Sequence, residues 1–112
     1  MITLLVLFRR PEGGPEAAAA FEQAYAATHL HLVVDTPGLR SVRVHRVGEE
    51  LGGSTDLLLV TEMGFDDRPA LDAGLASEAM RAAGRNLRTI APGLATLLVL
   101  EPAEELVPAG WR

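Results

Sequence analysis

The chain has 112 residues, a length that suits one domain, and 48% of them are hydrophobic, enough to build a core. Its formal net charge is −5 and its ten basic residues are all Arg, which argues against a nucleic-acid protein with a basic patch and excludes a Schiff-base lysine. There is no Cys, so disulfides, thiolate metal sites and thiol nucleophiles are excluded as well.

Ile2 to Phe8 is continuously apolar and reads as a strand buried on both faces. It is too short to span a bilayer. Arg9 and Arg10 follow the apolar run instead of preceding it, unlike a signal peptide. The expectation is a cytoplasmic protein with no membrane partner. Pro11 to Gly14 breaks the strand. Pro15 and Glu16 suit the first turn of a helix, and Ala17 to Ala20 propagate it. The helix should continue through FEQAYAATHLHLV until Pro37-Gly38 forces a turn. An unbroken 3.6-residue period puts Phe21, Tyr25, Thr28 and Leu32 on one apolar face, with His29 beside Tyr25.

Leu39 to Val47 alternates with period two and reads as the second strand. Gly48 to Ser54 is a hairpin loop, and Asp56 to Phe65 is the third strand, apolar without interruption from Leu57 to Val60. Asp66 or Asp67 caps the next helix, with Pro69 in its first turn, and Ser77 starts a further segment. Met80, Ala83, Leu87 and Ile90 mark the inner face of that segment, and Arg81, Arg85 and Arg88 the outer one. Pro92-Gly93 stops it, and Leu94 to Leu100 is the fourth strand. The order is that of an α+β, ferredoxin-like βαββαβ fold over residues 1–101, with an antiparallel four-stranded sheet and a C-terminal tail over 102–112 that holds the one Trp. The first, third and fourth strands offer no polar face to water. The open side of the sheet should therefore meet a second copy in a two-fold dimer.

MITLLVLFRRPEG, YAATHLHLV, PGLRSVRVHRV, TEMGFDD and LASEAM occur in an order and spacing that resemble the EthD-like family of dimeric α/β-barrel proteins. Around the family histidine, Tyr25, His29 and Leu32 match, while His31 stands where Pro is usual. The resemblance implies a site in a cleft between sheet and helices. The wider superfamily implies cofactor-free monooxygenases, isomerases, polyketide cyclases or haem-handling proteins. The similar lactone methylisomerases also use a His in the hairpin loop and a Tyr in the second strand. This chain has no His over residues 48–55 and carries Val42 at the Tyr position.

His29 titrates near neutrality and is the candidate acid/base, with Tyr25 orienting a substrate oxygen and Phe21, Thr28 and Leu32 lining the ligand. The alternative for His29 is a core-edge histidine bonded to backbone. No metal is expected: His29 and His31 do not share a helix face, and a site would need carboxylates such as Glu62 or Asp35. No cofactor is expected, since no phosphate loop and no flavin or haem motif is visible, and a Ser/His/Asp triad is not expected, since no Gly-x-Ser-x-Gly elbow is present. Three functions remain open: cofactor-independent acid/base or oxygenase chemistry on a small apolar molecule, a non-catalytic carrier with the same pocket, and a purely structural homodimer.

Overall fold

The apolar run at the start of the chain forms β1 (Ile2–Arg9), an inner strand of a four-stranded antiparallel sheet. The other strands are β2 (Leu39–Arg46), β3 (Leu57–Phe65) and β4 (Ala95–Leu100), in the order β2-β3-β1-β4. The computed structural model describes residues 1–111. Between β1 and β2 lie α1 (Gly14–Ala24), a π-helical turn (Tyr25–His29) and α2 (Leu30–Val33). Between β3 and β4 lie α3 (Arg68–Leu75) and α4 (Glu78–Ile90).

Local chemistry accounts for the breaks between these elements. Gly13 precedes α1 with φ +111°, a left-handed conformation that favours glycine, and Pro15 follows in the first turn. Asp67 caps α3: its carboxylate accepts the Ala70 N–H at 2.9 Å. Ser77 caps α4 by accepting from the Met80 N–H at 3.2 Å, and Glu78 adds negative charge to the first turn. α3 lies so close to β3 that a side chain at Gly74 would meet the Phe65 ring at 2.9 Å.

The pairing register sorts the sheet into two faces. β1 alternates, with Ile2, Leu4, Val6 and Phe8 buried under the helices. Opposite them stand Phe65, Met63, Thr61 and Leu59 of β3. A register shift beside Arg9 inserts an extra residue in β3, and both Leu58 and Leu59 are buried there. The core closes over this face with Phe21, Tyr25, Val33, Leu71 and Ala83.

The open face differs from the expectation. Leu5, Leu7, Val60, Leu98 and Leu100 form an apolar band on it, but Arg43, His45 and Glu62 share the same face on the β2 side. His45 Nε2 lies 2.9 Å from Glu62. β3 therefore does present a polar group there, and the apolar surface centres on the β1–β4 half and reaches β3 at Val60. Within this chain β1 is buried on the helix side alone, its other residues being partly exposed.

Candidate functional site

The π-helical turn places the site. The Leu30 N–H donates to the Tyr25 carbonyl, an i→i+5 bond in place of i→i+4. This wider turn changes which residues face the core. Phe21, Tyr25, His29 and Val33 are buried at steps of four, whereas Thr28 is exposed and Leu32 only partly buried. The expected face of Phe21, Tyr25, Thr28 and Leu32 assumed 3.6 residues per turn throughout. The extra residue in the turn shifts the stripe by one position and brings His29 inward.

Ring packing accompanies this rearrangement. Phe8 lies 5.6 Å from Phe21 and 5.2 Å from Tyr25, centroid to centroid, and the Tyr25 ring is 5.3 Å from the His29 ring. The Tyr25 hydroxyl is hydrogen-bonded to the Thr61 hydroxyl in the core. Tyr25 thus sits behind the imidazole as a support. Burial pushes its phenol up from its ordinary pKa, with the Thr61 bond opposing, so Tyr25 stays protonated at neutral pH.

His29 is 5% exposed. Its Nδ1 lies 3.2 Å from Oδ1 of Asn86 on α4. An amide oxygen only accepts, so Nδ1 carries the proton and Nε2 keeps its lone pair. Burial pushes the His29 pKa down, and the Asn86 bond works against that shift. The imidazole is therefore neutral at neutral pH. His29 lines a cavity of about 120 Å³ whose other walls include Leu4, Val6, Met63, Ala83 and Leu97. Phe21, Tyr25, Thr28 and Leu32 are not among its walls.

Asn86, Thr61 and the walls from β1, β3 and β4 did not enter the sequence reading. Asn86 had a signal: it is a polar residue on the otherwise apolar inner stripe of α4, and such a residue asks for a partner. Its separation of 57 positions from His29 hid which partner. His31 is exposed, and His45 lies on the open sheet face with Glu62. Among the described residues no group of three or more His, Cys, Asp or Glu is placed to hold a metal ion. No helix among them is long and apolar enough to cross a membrane. A larger trough of about 470 Å³ runs beside the start of α1, but it opens to the surface, and its Glu22 is already paired with Arg46 at 2.7 Å.

The buried imidazole has a consequence for stability. The folded state holds His29 below its unfolded pKa of ~6.5, so the unfolded chain binds the proton more readily. Stability is expected to fall as the pH drops from ~6.5 through the lowered folded value, and to be free of this penalty above ~6.5. Urea unfolding of the native chain and of His29→Gln between about pH 5 and pH 8 isolates the effect, because His31 and His45 are common to both. Equal pH slopes in the two chains would rule it out.

Strand order β2-β3-β1-β4 with all helices on one face, and an apolar cavity between the layers, define a ferredoxin-like α+β protein. The chain is similar to the crystal structure of an EthD (ethyl tert-butyl ether D) family protein from Bacillus halodurans, with 30% identity and a TM-score of 0.81 over 91% of this chain and 98% of that one. The chain belongs to the EthD family. It is also similar to a dimeric ferredoxin-like protein from Jannaschia, with 23% identity and a TM-score of 0.65 over 91% of this chain and 100% of the other. A third similar structure is SnoaB, a cofactor-independent oxygenase from Streptomyces nogalater, with 20% identity and a TM-score of 0.65 over 96% and 97%. No protein-family model and no curated protein matches the sequence.

Proposed function

We propose that the chain is a homodimer, paired through its open sheet faces, that binds a small apolar molecule beside His29 and moves a proton on it without a cofactor. One observation supports this above all: a neutral imidazole with Nδ1 committed to Asn86 is the titratable group on an otherwise apolar cavity. What it offers a ligand is the Nε2 lone pair, an acceptor. The ligand that fits is therefore apolar and carries a hydrogen-bond donor, either a hydroxyl or an acidic C–H. A cavity of about 120 Å³ suits a molecule near the size of a single six-membered ring. In the reaction, Nε2 takes the substrate proton and becomes imidazolium, the substrate becomes an enolate or phenolate, and the same proton can return at another atom. The Asn86 oxygen opposes the cost of the imidazolium, as it does in the free protein.

The homodimer rests on the apolar band of the β1–β4 half, which an isolated chain leaves in water. Several structural neighbours are described as dimeric. The carrier reading uses the same cavity, and binding alone does not separate the two.

Binding is tested by titrating phenol and benzene into isotope-labelled protein. Phenol is expected to shift the resonances of His29, Met63, Ala83 and Leu97, and to bind more tightly than benzene because it donates to Nε2. No shifts with either probe, or shifts centred on the trough beside α1, would defeat this reading.

A further inference from the structure

Residues 101–111 leave β4 and touch nothing that buries them: every one is exposed. Their backbone hydrogen bonds are local, Leu106 to Ala103, Val107 to Glu104 and Trp111 to Pro108. Yet the segment carries large apolar side chains, with Leu106 79%, Val107 48% and Trp111 75% exposed. The radius of gyration is 15.4 Å, against about 13 Å for a compact chain of this size, as an arm standing off the body requires.

We propose that this segment is an exchange arm that packs Leu106, Val107 and Trp111 on a second copy of the chain. The inference rests on the homodimer reading and adds to it the part played by the arm. Three features point to a second copy. The arm continues directly from Leu98 and Leu100, which lie in the apolar band of the open face, so it leaves from the edge strand of that face. The segment carries a 3₁₀ turn at Glu104–Leu106; drawn out from it, its eleven residues would span at most about 35–40 Å, more than the 19 Å thickness of one copy. It is also acidic, with Glu101, Glu104 and Glu105 and no basic residue over 101–111. The exposed Arg10, Arg43 and Arg88 make no ion pair among the described residues, and they give a second copy cations for the arm to meet.

Trp111 is the one Trp in the chain, so its fluorescence reports on the arm without any labelling. The experiment follows sedimentation, emission wavelength and iodide quenching of the full chain over a dilution series, with Val107→Glu alongside. The expected result is a dimer with blue-shifted, protected Trp111 that becomes quenchable as dimers dissociate. Val107→Glu, a change at a solvent-exposed site of the single chain, should weaken the dimer at least about tenfold and expose Trp111. A chain that stays monomeric overturns both the homodimer and the arm. A dimer whose Trp111 is fully quenchable overturns the arm and leaves the homodimer standing. Trp111 protected in the monomer places the arm on its own chain and overturns the exchange, as does a Val107→Glu dimer of native affinity.

Discussion

His29→Gln is expected to lower turnover by about 10²- to 10⁴-fold for a substrate whose proton His29 removes, with binding changed only a few-fold. That loss corresponds to about 3–5 kcal/mol of transition-state stabilisation. The walls include Leu4, Val6, Met63, Ala83 and Leu97, none of which accepts a proton, so no neighbouring base replaces the imidazole. Burial keeps His29 neutral, and Asn86 keeps the proton on Nδ1, so the native chain holds the base form ready at neutral pH. Gln retains a polar group in the site but has no basic nitrogen. The measurement is a kcat against KM comparison on the first substrate found. A fall in kcat with KM unchanged marks an interaction made in the transition state. Asn86→Ala should cost less, because it frees the tautomer without removing the base. Full turnover in His29→Gln would end the acid/base role. Tight binding with no turnover in the native chain as well would leave the carrier.

Phe8→Ala is expected to destabilise the fold by about 3–5 kcal/mol, read from urea midpoints with the slope unchanged. Phe8 is 1% exposed and sits on an inner strand, where no solvent can fill the space that its ring leaves. Its ring touches both Phe21 and Tyr25, so the substitution removes two aromatic contacts together with the buried area. Against a typical domain stability of about 5–15 kcal/mol the loss is a large share. It reaches the site as well. Tyr25 backs the His29 ring at 5.3 Å, and slack behind Tyr25 should broaden the His29 resonances before the fold gives way. A loss under about 1 kcal/mol would mean that the cluster collapses to fill the gap, which the dense packing of an inner strand does not favour.

Much of the architecture is legible in short stretches of sequence. Asp67 and Ser77 cap their helices as side-chain chemistry at those positions dictates, and α4 gives way at Ala91 just before Pro92-Gly93. Met80, Ala83, Leu87 and Ile90 do pack inward, and Arg81, Arg85 and Arg88 do point to water. The strand–helix order leads to the sheet that is observed, because antiparallel ferredoxin-like connections leave few alternatives. The residue set around His29 was less accessible. Tyr25 and His29 are adjacent in the sequence reading and in the fold. The periodicity nevertheless sent Thr28, which is exposed, to the wrong side of the helix, because a local pattern assumes a regular helix; Leu32 does pack against the core.

The sequence by itself determined the caps of α3 and α4, the stop before Pro92-Gly93 and the placing of His29 beside Tyr25, since each depends on neighbours a few residues away. Tertiary structure alone decided the π-helical turn, the union of His29 with Asn86, the Tyr25–Thr61 bond and the polar half of the open face. Each of these depends on groups brought together from distant parts of the chain. Two aromatic rings, Phe21 and Tyr25, must pack on Phe8 of β1, and a buried imidazole must find a partner. The extra residue in the turn between Tyr25 and Leu30 is compatible with both.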